Sequence, residues 1–333
     1  MSGLVPVGVL GAGAWGTALA QMLSSDGRDV LLWALEPEVV EEIQRDRRNS
    51  LYLPSATLNP SIRATGDLGA LAGIDIVLAV TPAQHLRAIL DQLGTAPRDL
   101  VLCAKGIEAG SGRLMNEVAA AALPGSEVAV LSGPTFAHEV AAGLPTAVTL
   151  ACSGGRPQWD RLAPAIARPA FRPYFSHDVA GAEIGGSIKN VLAIACGVVE
   201  GLRLGQNARA ALIARGYAEM LRFGEALGAE PETLAGLCGL GDLVLTCSST
   251  SSRNFSLGKA LGEGGDATAL MADRRTVAEG AHTAPVLQQL AQQRGIDMPI
   301  VSAVNALLRG AAPAQVVQEL LARPLASERG EPA

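Results

Sequence analysis

Apolar positions follow two different rhythms along the 333 residues. Through the first half they gather into short runs rich in Val, Ile and Leu: VPVGVL (5–10), DVLLWA (29–34), IDIVLAV (74–80), LVLCA (100–104) and EVAVLS (127–132). Short continuous runs of this kind, separated by segments of helical period, mark strands buried on both faces of a parallel sheet. The intervening segments predict helices over 15–24, 36–48, 83–92 and 111–122, and two further strands, PTAVTLAC and FRPYFS, extend the sheet within 145–176.

After HDVAGAEIGG the strand signal fades and long Ala-, Leu- and Gly-rich segments with a 3.6-residue period take over. They predict helices over 183–223, 231–246, 254–263, 283–294, 299–310 and 313–322. The change of rhythm places a boundary near residue 182. The expected architecture is an α/β Rossmann-like N-terminal domain with a mostly parallel sheet (1–182), an all-α C-terminal domain (183–325) and a tail (326–333).

Hydrophobic residues make up 49% of the chain and aromatics only 3%, so the core is expected to be aliphatic. A net charge of -6 without any basic run gives no reason to expect a nucleic-acid or acidic-membrane partner. The five cysteines form no CxxC pair and have no histidine at metal-ligand spacing, and their odd number argues against a disulfide framework. No metal site is expected, and a reducing compartment fits. The apolar N-terminus has no Lys or Arg before residue 28, so it reads as a strand rather than a secretory signal. With no uncharged apolar stretch of about 18–20 residues, no integral membrane segment is expected either, and the placement is cytoplasmic.

GAGAWG, Gly11 to Gly16, fits GxGxxG after a strand and before a helix, where Gly11, Gly13 and Gly16 permit a tight turn, backbone approach to a pyrophosphate and close helix packing. The acidic Glu36 stands 20 residues beyond Gly16, at the end of the second strand, where it can accept bonds from an adenosine ribose. Arg45, Arg47 and Arg48 follow, and a guanidinium there can instead hold a 2'-phosphate; a solvated helix face is the equal alternative. NAD or NADP is therefore expected, with the preference open.

Of 26 basic residues only three are lysines, Lys105, Lys189 and Lys259. Lys105 follows the LVLCA strand, and SGPTFAHE, with Gly133 and Thr135, follows EVAVLS; both lie beyond the carboxyl ends of strands, where open α/β sheets bind ligands. Lys189 sits in GGSIKNVLAIACG, on a helix face shared with Gly185, Gly186 and Ala193 that leaves space for a substrate. A partly desolvated ammonium exchanges protons near neutral pH and a guanidinium does not, so Lys189 is the candidate proton carrier. GLGDLVLTCSSTSSRN adds Asp242 and then Ser252, Arg253 and Asn254 before a helix. That cluster reads either as an anion site or as an N-cap with a solvated arginine. The four histidines are scattered; only His138 lies near the SGPTF loop.

Together, GAGAWGTALA, AKGIE, SGPTFAHEVAAGLPT, GGSIKNVLAI, NARAALIARGYAEM, GLGDLVLTC, SSRN and TVAEG resemble, in order and over nearly the whole chain, the NAD(P)-dependent sn-glycerol-3-phosphate dehydrogenase family. The resemblance implies hydride transfer between sn-glycerol 3-phosphate and dihydroxyacetone phosphate, supplying glycerophospholipid synthesis, with the substrate in a cleft between the two domains. It makes Lys189 the proton acceptor. It places Lys105, Gly133, Thr135, Asp242, Ser252, Arg253 and Asn254 around a phosphorylated small molecule, with Arg253 near the phosphate. Ala14, Trp15, Lys105, Ala137, Arg253, Val277 and Glu279 are implied to line the cofactor site. Leu35 departs from the Arg or His often found there, which removes a 2'-phosphate contact and argues for NAD(H) activity at least comparable to NADP(H). The apolar, Ala-rich helical half makes a homodimer plausible. Rival readings are a related β-hydroxyacid dehydrogenase, which needs no SSRN-type phosphate site, and a nucleotide-sensing protein without turnover.

Overall fold

The computed structural model describes residues 4–272 and 278–324. The chain forms two compact units, Met1–Lys105 with Arg113–Glu183 and Gly106–Gly112 with Ile184–Ala333.

The first unit is built on one eight-stranded sheet: β1 (Val7–Leu10), β2 (Val30–Trp33), β3 (Ile62–Thr65), β4 (Ile76–Ala79), β5 (Asp99–Leu102), β6 (Glu127–Ser132), β7 (Thr146–Cys152) and β8 (Phe171–Ser176). Their spatial order is β3-β2-β1-β4-β5-β6-β7-β8, all neighbours parallel except the antiparallel β6–β7 pair. The strand order reverses between β1 and β4, which is the ligand position of doubly wound sheets. β1, β4 and β5 are buried along their whole length, as the apolar runs require.

β3 is absent from the sequence expectation. It is an edge strand whose Arg63 faces outward, so its four residues never form an apolar run. The helices Ala137–Ala141 and Gly155–Ile166 were also unforeseen; the latter carries Pro164 in its interior and begins with the polar stretch GRPQ.

The second unit is helical among its described residues. The expected helix over 183–223 is two, Val179–Gly201 and Gln206–Ala226, parted where Arg203 and Gly205 take φ of 56° and 90°. Val179–Gly201 is long and apolar enough to cross a membrane by composition, yet the whole of its most apolar window is buried inside the protein. The expected helix over 231–246 is broken into Pro231–Ala235, a π-turn at Leu237–Gly241 and Asp242–Thr246. A helix at Ala267–Ala272 was not foreseen.

Glu219 ties two of these helices together. It is buried on Gln206–Ala226 and accepts the backbone N–H groups of Ile300 (2.7 Å) and Val301 (3.2 Å), donors that the start of helix Pro299–Leu308 otherwise leaves unsatisfied. Burial pushes its carboxyl from an ordinary 4.5 up to about 7, against the pull of those two N–H groups. The folded state therefore holds this proton more tightly than the unfolded chain. Its stabilising share is full below about pH 4.5 and is lost as pH rises through about 7. Glu219→Gln should flatten that slope. Urea unfolding of variant and parent at pH 5.5 and pH 8 should show a difference on the order of 1–3 kcal/mol in pH response, and parallel responses would refute the assignment.

Candidate active site

At the carboxyl end of β1 the backbone turns at Gly11, whose φ of 117° is closed to residues with a Cβ. Gly13 then caps the helix Ala14–Leu23, with open space where its Cβ would stand. A Cβ on Gly16 would overlap the Gly11 carbonyl oxygen. Each glycine thus serves a separate purpose, and the helix N-terminus is left bare for an anion. Around the loop, Trp15 Nε1 and the buried hydroxyl of Thr81, just past β4, have no partner among the described residues. A dinucleotide fits this cradle: backbone N–H groups for a pyrophosphate, and orphaned polar atoms beside them.

β2 runs beside β1 in register, Leu10 opposite Trp33, so Glu36 leaves the same end of the sheet as the glycine loop. Its carboxylate accepts the Tyr52 hydroxyl at 2.8 Å. Arg47 is turned away and donates to the Ile62 carbonyl at 2.8 Å, Arg45 pairs with Asp46, and Arg48 is exposed. Leu35 is 73% exposed.

Further along the same edge, Lys105 Nζ lies 3.5 Å from the Gly133 carbonyl, which also accepts the Thr135 hydroxyl at 3.2 Å. β5 and β6 are parallel neighbours, and that adjacency brings the two loops together. A Cβ on Gly133 would stand 2.9 Å from Val148 Cα. Ala137 opens the short helix that follows.

In the second unit Lys189 is only 5% exposed, and Asp242 is fully buried. The Lys189 ammonium donates to Asp242 Oδ1 and, at 3.0 Å, to Thr246 Oγ1, while the Thr246 hydroxyl lies 3.2 Å from the same carboxylate oxygen. Thr246 was not singled out in the sequence, though it stands one helical turn from Asp242 and so shares its face. The small-residue face of the Lys189 helix is not open space at Gly185. A Cβ there would be 2.5 Å from the Cys238 carbonyl oxygen, because the backbone of the π-turn packs against it. That close approach brings Asp242, the residue after the turn, to Lys189.

Ser252 is the N-cap of helix Arg253–Gly262 and accepts from Phe255 N–H at 3.2 Å. Asn254 is buried; its amide donates to Asn190 Oδ1 at 3.0 Å, and its Oδ1 accepts Gly280 N–H at 2.9 Å. It thereby ties the residue after Lys189 to the helix that Glu279 begins. Asn190 also escaped the sequence reading. Arg253 is exposed and makes no ion pair or hydrogen bond among the described residues. So the cap reading holds for Ser252, and Arg253 remains available to an anion. Val277 lies outside the described residues.

All five cysteines are buried and outside any disulfide, and no group of three or more His, Cys, Asp or Glu residues among the described residues could hold a metal ion.

The sequence matches the family models for the N-terminal part of NAD-dependent glycerol-3-phosphate dehydrogenase over residues 6–156 and for the C-terminal part over residues 178–319. It is 73% identical over 322 residues to glycerol-3-phosphate dehydrogenase (NAD(P)+) of Erythrobacter litoralis, covering 97% of each chain. It is also 73% identical over 323 residues to the enzyme of that name from Novosphingobium aromaticivorans, covering 97% of this chain and 98% of the other. The crystal structure of glycerol-3-phosphate dehydrogenase from Coxiella burnetii superposes with a TM-score of 0.91 at 42% identity, over 96% of this chain and 99% of that one.

Proposed function

The chain belongs to the NAD-dependent glycerol-3-phosphate dehydrogenase family, and from that premise we propose how its residues divide the work. It is an oxidoreductase that interconverts sn-glycerol 3-phosphate and dihydroxyacetone phosphate with NAD or NADP. Residues 1–182 supply most of the dinucleotide site, and residues 183–325 supply the proton carrier, the phosphate site and the remaining cofactor contacts.

Gly11, Gly13, Ala14, Trp15, Gly16, Glu36, Arg48, Ala137 and Glu279 hold the cofactor, together with Lys105, Arg253 and Val277. When bound, the nicotinamide exchanges a hydride with C2 of the substrate. Lys189 does the matching proton work. Its neutral amine takes the C2 hydroxyl proton during oxidation, and its ammonium returns a proton to the carbonyl oxygen during reduction. Asp242 and Thr246 fix its nitrogen so that the proton is delivered to one place. Lys105, beside Gly133 and Thr135, polarises the carbonyl and orients the hydroxyls. Arg253 anchors the phosphate with Ser252 and Asn254, so binding energy far from the reacting carbon positions it.

The observation that carries this reading is Lys189 itself: a buried lysine held by an acid and a hydroxyl of one neighbouring helix. Buried cysteines outside any disulfide are consistent with a cytoplasmic enzyme, and exposed Leu204, Met271 and Leu321 offer the helical unit apolar surface for a homodimer. The product serves glycerophospholipid synthesis.

Oxidation of NADH and NADPH by the purified protein, with dihydroxyacetone phosphate against dihydroxyacetone, tests the assignment. Turnover is expected only with the phosphorylated compound. Arg253→Ala should raise its KM about ten- to a hundredfold, the loss of a charge-assisted contact. Equal turnover of the two compounds, or none of either, would overturn the phosphate site.

A further inference from the structure

A chain of hydrogen bonds in the first unit links the glycine loop to Glu36. Asn49, wholly buried, donates to the Ala12 carbonyl and to Thr17 Oγ1, both at 2.8 Å. Its Oδ1 accepts the Tyr52 backbone N–H at 3.2 Å. Tyr52 then donates its hydroxyl to Glu36 Oε1 at 2.8 Å. The short segment 49–52 is thus anchored at the pyrophosphate loop and reaches the acid at the end of β2.

Of the three arginines at this corner only exposed Arg48 is left to offset a phosphate. Arg47, in the left-handed region with φ of 55°, spends its guanidinium on the Ile62 carbonyl; Arg45 is paired with Asp46; and exposed Leu35 brings no charge. A carboxylate free to rotate could swing aside from a 2'-phosphate. One held by a phenol cannot do so without breaking that bond.

We propose that Tyr52 is a positioning residue for cofactor selectivity: by locking the Glu36 carboxylate toward the ribose, it favours the 2'-hydroxyl of NAD(H) and opposes the 2'-phosphate of NADP(H). The proposal rests on the reading above that Glu36 faces the adenosine ribose. The 2'-hydroxyl donates to a fixed acceptor at no reorganisation cost, whereas a dianionic phosphate meets a like charge that cannot withdraw.

Direct titration of NADH and NADPH into the substrate-free protein, by calorimetry or nucleotide fluorescence, provides a test independent of turnover. The parent should bind NADH more tightly. Tyr52→Phe should lower the NADH-to-NADPH affinity ratio by about tenfold, the share of one hydrogen bond to a charged group. The variant should stay folded at the assay temperature, and its kcat at saturating NADH should change far less than the affinity ratio. Leu35→Arg, on an exposed position, is the second arm. It should improve NADPH binding more in the Tyr52→Phe background than in the parent, because only there can the acid yield. An unchanged ratio in Tyr52→Phe, alongside a shifted ratio in Glu36→Gln, would overturn the role of Tyr52 alone. So would strictly additive effects of the two substitutions. An unchanged ratio in Glu36→Gln as well would mean that Glu36 does not face the ribose, and would overturn the reading beneath the proposal. A parent that favours NADPH would refute both.

Discussion

Lys189→Ala is expected to cut turnover of dihydroxyacetone phosphate about a thousandfold or more, within the range attributed to one positioned acid or base, while NADH binding persists. The turns that flank Lys189 on its own face present Gly185, Gly186 and Ala193, none of which carries a proton to exchange. Lys189→Arg should fail almost as badly. It keeps the charge, but a guanidinium does not give up its proton in this range, and its planar fork does not fit a site shaped around one nitrogen.

The alanine variant carries a second cost that must be separated from the chemistry. Asp242 is fully buried, and removing its lysine partner deprives that carboxylate of its ion pair, a loss of about 3–5 kcal/mol in stability. Lys189→Met combined with Asp242→Leu removes both charges and should recover most of that stability, since apolar replacement of a buried pair is often neutral or better. If the double variant is stable, binds NADH and is inactive, the lost activity belongs to the proton and not to the fold. Residual turnover within tenfold of the parent, in a folded variant, would remove Lys189 from the mechanism.

How much of this was legible beforehand depended on where each signal resides. The central strands could be read because burial on both faces writes itself as an uninterrupted apolar run, as in IVLA of β4. Edge strand β3 could not, since half of its residues answer to solvent. The glycine loop and Lys189 stood out through local spacing and scarcity. Thr246, Asn190 and Tyr52 did not, because their roles consist of contacts to residues up to 64 positions away, such as Asn190 to Asn254. Nothing local marks a threonine that will meet a lysine on another helix. The π-turn at Leu237–Gly241 belongs to the same class. Its glycines resemble any flexible segment, yet Gly239 is there because a Cβ would overlap the Leu234 carbonyl oxygen. Such turns occur often at functional sites, and this one ends where Asp242 begins.

Gly258→Ala should unfold the helical unit more readily than a single methyl suggests, by at least about 3 kcal/mol, the upper part of the range for overpacking. The helices Val179–Gly201 and Arg253–Gly262 meet backbone to backbone. A Cβ on Gly258 would overlap the Ile194 carbonyl oxygen, one on Gly197 the Phe255 carbonyl oxygen, and one on Gly262 would sit 2.6 Å from the Val198 carbonyl oxygen. Neither side offers a flexible side chain that could move, so the helices themselves must part. The Asn254–Asn190 bond of 3.0 Å spans the same two helices and would be strained with them. Because Lys189 is next to Asn190 and Arg253 next to Asn254, the glycine contact governs the separation of Lys189 from Arg253, the two residues proposed to carry the proton and anchor the phosphate. The variant should therefore also show a raised KM for dihydroxyacetone phosphate. Gly228→Ala is the matched control: its φ of 82° disfavours a side chain, but no atom lies within 4 Å of the added Cβ, so only the backbone strain of about 1 kcal/mol applies. Chemical unfolding of the two variants side by side separates the causes. If Gly258→Ala costs no more than Gly228→Ala, the helices are not held at backbone contact, and the geometry that couples Lys189 to Arg253 must come from elsewhere.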